Sequence, residues 1–399
     1  MQHTETKYKA LRIAIVTNEF PSVSETFISN QVKYLAAKGN QVFVFCFIKN
    51  PVLFHQLFHN NQQVKTILFS RRKLLQYLLL HPFQIAKVFS KHIDIKLFFS
   101  RKARASAINA YSPDIVHFEF SGIGIGFLEE IQNLRAKTVV SCRGSAEKVK
   151  LLADHERKKN LEKLFNQVNA IHCVSQDMRQ TILPYCSKPE KIFINYPSID
   201  TQLFKRPNPY QPHPVITIIS VGRISFQKGY LIGLLAIKRL KDAGISFKWI
   251  IIGKGPKYQE LFFHIHEMGL QHHVVLAGVQ SGNDVIELYQ QADIYFLPSF
   301  YEGIANAALE AMSMELPVVS TRSGGMEEVI THDVNGLLAN VYDDRNLAAL
   351  LLRLANDFEL RKAIGIAARK RIVEQFDIQL QIDKYESVYS QLVNDHEQL

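Results

Sequence analysis

"DIYFLPSFYEGIANAALEAMSMELPVVST", Asp293 to Thr321, carries the alternation that decides the fold. "DIYFLPS" is a short apolar run closed by Pro298, and it reads as a buried strand. "NAALEAMSMEL" is rich in helix formers, and Pro317 ends it. "PVVST" then returns to a second apolar run. A strand, a crossover helix and a strand imply a parallel pair, with both faces of the sheet covered.

The same unit recurs on either side. Upstream lie "VITIISVGR", a helix with "LIGLLAIKRL", "FKWIIIGKG", a helix with "KYQELFFHIHEMG", and "HVVLAG". The first half of the chain repeats the theme with "LRIAIVTN", "QVFVFCF", "DIVHFEF", "KTVVSCRG" and "AIHCVSQ". Its segment "SETFISNQVKYLAAKG" has helical spacing and stops at Gly39. Between the two sets, Pro207, Pro209, Pro212 and Pro214 crowd one stretch. Proline withholds a ladder donor, so residues 207–214 read as a linker. From about Ala367 the chain reads as helix with no strand after it. The expected fold class is α/β, with two Rossmann-like doubly wound domains facing a cleft. Such sheets bind ligands outside the carboxyl ends of their strands.

Composition agrees. The chain has 399 residues, 47% hydrophobic and 21% charged, which suits a soluble globular protein of about two domains. No apolar run is long enough to span a bilayer, and the start lacks the apolar core of a signal peptide. Cys46, Cys142, Cys173 and Cys186 stand far apart, and are expected to be reduced thiols in a cytoplasmic protein. The net charge of +10 is concentrated: from Lys65 to Ala105 there are ten basic residues against Asp94 alone. That points to an anionic surface or substrate near one region. No recognisable RNA or DNA module accompanies it, so no nucleic-acid partner is expected.

The turn "FYEGIAN" joins strand to helix at a carboxyl end. Glu302 precedes the helix, Gly303 lets backbone approach a ligand, and the small residues that follow leave the first amides reachable. Those amides and the helix dipole suit a phosphate. Glu310 lies roughly 12 Å further along if the path is helical. That span fits a sugar diphosphate, with one carboxylate at sugar hydroxyls and the other at ribose hydroxyls. "SVGRISFQKG" adds Arg223 and Lys228, bracketed by Gly222 and Gly229, and both cations suit a diphosphate. "GKGPKYQEL", with Gly253 and Gly255, lacks the third glycine of a dinucleotide loop, and "GIGIGF" also misses that spacing. His264, His266, His272 and His273 have no carboxylate-rich loop beside them, and no D-x-D motif occurs. No metal site and no metal requirement are expected.

Together, "SVGRISFQKG", "IIGKGP", "ADIYFLPSFYEGIANAALEAMSMELPVVSTRSGGMEEVI" and "NGLL" resemble the retaining glycosyltransferases of family four, which have a GT-B fold. The resemblance is dense over Val215 to Leu338. In the first half, "NEFPSVSETFISNQVKYLAAKG" and "PDIVHFEF" look like the branch that assembles polysaccharides. The domains would then be 1–206 with about 376–399 for the acceptor, the linker 207–214, and 215–375 for the donor.

The resemblance also implies roles. Arg223 and Lys228 would hold the donor diphosphate, Glu302 the transferred sugar, and Glu310 the ribose. Gly303, Ile304 and Ala305 would offer backbone amides, with Gly222, Gly253 and Ser299 completing the donor site. Attack would come on the face the nucleotide leaves, with the departing phosphate taking the acceptor proton. The donor would be a UDP-sugar or GDP-sugar, and the acceptor a saccharide or a lipid-linked saccharide.

Two places depart from the family. Arg143 and Ala146 of "SCRGSA" replace a histidine and an acid, so Arg143 is expected at donor phosphate or acceptor. Ser24, Glu25 and Thr26 present side chains where other members present glycine, and are expected toward the acceptor. The basic segment 65–105 would meet an anionic membrane at its cytoplasmic face. Two other classes fit the same motifs: a nucleotide-sugar epimerase, and a non-catalytic nucleotide-sugar-binding protein.

Overall fold

A computed structural model describes residues 9–69 and 103–394. The chain divides into two compact units. The first takes the described residues up to Val174, then Arg179–Asn195, and the chain from Ile382 on. The second takes Ser175–Met178 and Tyr196–Gln381.

The first unit is built on seven described strands: β1 (Arg12–Phe20), β2 (Gln41–Lys49), β3 (Val64–Leu68), β4 (Ile115–Phe118), β5 (Lys137–Cys142), β6 (Ala170–Cys173) and β7 (Ile192–Ile194). Their order is β3-β2-β1-β4-β5-β6-β7, and every pairing is parallel. Ile13, Ile15, Val42, Val44, Val116 and Val139 are fully buried. Continuous burial of this kind is what a parallel sheet covered on both faces requires.

The second unit has β8 (Ile216–Val221), β9 (Phe247–Ile252), β10 (Val274–Gly278), β11 (Ile294–Leu297), β12 (Val318–Thr321) and β13 (Leu337–Ala339). Their order is β10-β9-β8-β11-β12-β13, again parallel throughout. Alternate strand residues feed two cores. Ile218, Ile251 and Phe296 pack with Leu234, Ile237, Leu261 and Leu351. Ile219, Ile252 and Tyr295 pack with Leu309, Met312, Ala368 and Ile372. Each sheet reverses its winding once, between β1 and β4 and between β8 and β11. Those are the positions where a doubly wound sheet opens a crevice at its carboxyl edge.

The last helix, Ile378–Asn394, returns to the first unit. There Lys38 pairs with Asp383 at 2.6 Å, Asn40 donates to Glu386 at 2.7 Å, and His117 meets Tyr389 at 2.5 Å.

The proline run is not where the chain changes units. It crosses at Val174–Ser175, Met178–Arg179, Asn195–Tyr196 and Gln381–Ile382, and residues 207–214 belong wholly to the second unit. The cause is polar anchoring. Tyr210 donates to Asp293 at 2.6 Å and accepts from Arg361 Nε at 2.8 Å, and His213 bonds the same Asp293 at 2.8 Å. Arg206 adds bonds to the carbonyls of Gln290 and Met314.

Of the basic segment 65–105, residues 70–102 lie outside the described residues. Within the described part, Arg104 pairs with the buried Glu130 and lies 4.3 Å from the Phe127 ring centre. Among the described residues no helix is long and apolar enough to cross a membrane.

Candidate active site

In the second unit, the loops leaving β8 and β11 lock together. Phe300 N–H donates to the Gln227 carbonyl at 2.8 Å, and Gln227 Nε2 donates to the Tyr301 carbonyl at 3.1 Å. Gly229 has φ of +61°, and a Cβ there would stand 2.0 Å from the Pro298 carbonyl oxygen. Only glycine allows that approach. The loop after β12 closes in as tightly, since a Cβ on Gly325 would meet the Gly303 carbonyl at 1.8 Å.

This interlock sets the charges. Lys228 Nζ pairs with Glu302 Oε1 at 2.7 Å, and Ser299 Oγ donates to the same oxygen at 2.7 Å. Glu302 is buried, and the Lys228 side chain is 15% exposed. Lys228 is therefore not the freely accessible cation that its loop position suggests. Arg223 is exposed and has no ion-pair or hydrogen-bond partner among the described residues. A cation left over beside a satisfied pair suits an anionic ligand.

Gly222 and Gly253 bring the β8 and β9 loops side by side. Gly222 N–H donates to Ile252 at 2.9 Å, and Gly253 N–H to Gly278 at 2.7 Å. The helix Asn306–Ser313 starts after Ala305 with no side-chain cap. Ala305 N–H has only Met326 Sδ at 3.5 Å, a weak acceptor. The helix therefore presents an unspent N-terminus at the carboxyl edge, behind Gly303 and the buried Ile304.

Glu310 lies on that helix, partly exposed, and accepts from the buried Tyr289 hydroxyl at 3.1 Å. Burial pushes its carboxyl up to about 7, against the opposing hydrogen bond from Tyr289. The structure thus gathers Gly222, Arg223, Lys228, Gly253, Ser299, Glu302, Gly303, Ile304, Ala305 and Glu310 on strand-end loops and one helix of a single unit.

In the first unit, Ser24 and Glu25 lie between β1 and the helix Thr26–Ala37, which Thr26 opens at the carboxyl edge. Ser24 and Thr26 are exposed. Arg143 follows β5 and is already engaged. It pairs with the buried Glu119 at 2.6 Å, donates from Nε to the Glu119 carbonyl at 3.1 Å, and lies 4.4 Å from the Phe27 ring centre.

Three residues of these constellations escape the motif reading: Gln227, Tyr289 and Glu119. Glu119 had a signal, since His117 and Glu119 are polar at alternate positions of an apolar run and so share one face of β4 and its extension. Among the described residues no three of His, Cys, Asp or Glu gather to hold a metal ion.

Comparison with known proteins places this geometry. Residues 24–203 match the model of Glycosyltransferase Family 4, and residues 203–371 that of Glycosyl transferases group 1. The amylovoran biosynthesis glycosyltransferase AmsK of Erwinia amylovora is 28% identical, over 92% of this chain and 96% of its own. The putative colanic acid biosynthesis glycosyltransferase WcaL of Salmonella typhimurium is 26% identical, over 66% of this chain and 67% of its own. The solved structure of Anabaena HepE in complex with UDP and glucose shares the fold, with a TM-score of 0.75 at 17% identity, over 96% of this chain and all of that one. Two tandem family models, two parallel Rossmann-like sheets and a glutamate–lysine–arginine site at one switch point agree, and the chain belongs to the family 4 glycosyltransferases.

Proposed function

We propose that the chain moves a hexose-type sugar from a UDP-sugar or GDP-sugar to a saccharide or lipid-linked acceptor, with retention of configuration, in cell-surface polysaccharide synthesis. The observation that carries this is the β8–β11 switch point, where Glu302 is held by Lys228 and Ser299 beside the free Arg223 and an uncapped helix. The donor diphosphate lies between Arg223, Lys228 and the first helix amides. Glu302 accepts from sugar hydroxyls, and Glu310 from ribose hydroxyls. The bond from the anomeric carbon to phosphate breaks while the acceptor oxygen bonds that carbon from the same face. The acceptor proton passes to the departing phosphate. Negative charge grows on that phosphate, and fixed cations lower the barrier as it grows. No divalent ion is needed to meet that charge. The relatives named for amylovoran and colanic acid synthesis support a polysaccharide product.

The test is transfer from a panel of UDP- and GDP-sugars, with the anomeric configuration of the product read by NMR. One donor should give a product of the donor's own configuration, with chelator present. An inverted product, donor conversion without acceptor, or activity lost in chelator and restored by magnesium or manganese overturns the corresponding part. The basic segment 65–105 is assigned to an anionic membrane at the cytoplasmic face, with the chain otherwise cytoplasmic. Co-sedimentation with anionic but not neutral liposomes, weakened by salt, is the expected outcome.

A further inference from the structure

The Tyr289 hydroxyl is fully buried and lies 3.1 Å from two acceptors, the Ala307 carbonyl and Glu310 Oε2. It has one proton and serves one of them at a time. The Ala307 carbonyl belongs to the helix Asn306–Ser313 and has a ladder partner of its own. The Glu310 carboxylate has no other hydrogen-bond partner and no ion pair among the described residues.

We propose that Tyr289 is the positioning residue for Glu310, and that the pair makes capture of the nucleotide sugar a proton-releasing step. This rests on the reading of Glu310 as the carboxylate that grips the ribose. Ribose hydroxyls donate, and the ionised carboxylate, an acceptor at both oxygens, meets a diol better than the neutral carboxyl does. Burial disfavours the ionised form and pushes Glu310 up to about 7. The groups that face it are phenols: Tyr289 from the helix Gly282–Gln291 and Tyr295 from β11, with Tyr230 beside both. Burial pushes all three phenols up, so they carry no charge at neutral pH. The Tyr289 hydrogen bond is then the protein's own support for the carboxylate, and the ribose is the ligand's. In binding, neutral Glu310 gives its proton to solvent, and the resulting carboxylate accepts from the ribose diol.

The experiment is calorimetric titration of the protein with UDP- and GDP-sugars between about pH 6 and about pH 8.5, in two buffers of different ionisation enthalpy. Intact nucleotide sugars are used because their diphosphate does not titrate there. Wild-type affinity should rise about tenfold from pH 6 to pH 8 and then level, with proton release on the rising part. Glu310→Gln should bind more weakly, with that rise gone. Tyr289→Phe removes support for the ionised form, so its rise should move to higher pH. Its affinity should be about fivefold lower near pH 7 and within about twofold of wild type near pH 8.5. A Tyr289→Phe loss of equal size at every pH would make the tyrosine a packing element and overturn the proposal. Wild-type binding that is tight but flat with pH would also overturn it. A protein that binds no nucleotide sugar at any pH sinks the ribose reading itself, and the proposal with it.

Discussion

After β8 and β11 the second unit holds Lys228 against Glu302, leaves Arg223 exposed, and starts its helix Asn306–Ser313 without a side-chain cap. After β1, β4 and β5 the first unit has Arg143 locked onto Glu119 and lying against Phe27. Topology is the same in both places, since each lies at the reversal of a doubly wound sheet. Charge is not. Two cations and one carboxylate leave a positive remainder in the second unit, whereas the pair in the first is matched. A crevice that keeps a spare cation and free amides is prepared for an anion such as a diphosphate. The Arg143–Glu119 pair offers an anion no net charge.

The sharpest way to break this contrast is to cut the first unit's pair. Arg143→Met leaves the buried Glu119 without its counter-charge, and losing one partner of a buried pair costs about 3–5 kcal/mol. Chemical denaturation should show that loss, and Arg143→Met with Glu119→Gln should recover part of it. Were Arg143→Met to melt like wild type yet lose transfer, the arginine would act on substrate and the contrast would fail.

The second unit should answer in the opposite way. Arg223→Ala should lower kcat by about 10²–10³-fold, the cost of removing one charge-stabilising group. It should leave the melting temperature alone, because Arg223 has no partner to lose among the described residues. Lys228→Ala should cost a similar factor in rate and also lower the melting temperature, because Glu302 stays behind, buried and unpaired. Equal melting temperatures for the two variants would show that the Lys228–Glu302 pair contributes nothing to the fold.

How much of this is legible in the sequence follows from burial. Ten strands announce themselves as apolar runs. The three that do not, β3, β7 and β13, are each at the edge of a sheet and only three to five residues long. All three residues of β7 are half-buried, so its pattern carries little hydrophobic signal. The loops after β8 and β11 are legible because glycine, arginine, lysine and glutamate stand at fixed offsets from strand ends. Gln227 and Tyr289 are not, because their roles depend on pairings 74 and 21 residues away along the chain. The anchoring of the proline run is hidden for the same reason. Nothing local shows that Tyr210 will be held by Asp293 and by Arg361, the latter 151 residues on.

The smallest expected effect is acid sensitivity confined to the first unit. His172 Nε2 lies 2.7 Å from the Asn195 carbonyl, so it carries a proton and donates. Its Nδ1 then accepts from Ser141 Oγ at 2.7 Å, and Ser141 accepts from His117 Nε2 at 2.7 Å. His117 Nδ1 is left to accept from the Tyr389 hydroxyl at 2.5 Å. This assignment of protons satisfies the whole chain with both rings neutral, and the Tyr385 hydroxyl, 3.2 Å from His172 Nδ1, is a further donor to the same ring. Burial, with Arg143 nearby, holds both histidines well below their usual range. The unfolded chain takes up these protons below about pH 6.5 while the folded chain does not. Stability is therefore full above that pH and falls as the pH drops, by about 1.4 kcal/mol per pH unit for each histidine. Glu119, Glu147 and Glu386, pushed up by burial, act in the opposite sense and oppose this fall where they titrate, so the histidines' share is read from substitution. Amide exchange in β4, β5 and β6 should quicken from about pH 7 to about pH 5.5 beyond its intrinsic pH dependence, while β8 and β11 hold their protection. His117→Gln should remove about half of that slope even if it lowers stability at every pH. A slope shared equally by the two sheets, or left unchanged by that substitution, would show that the buried histidines do not set it.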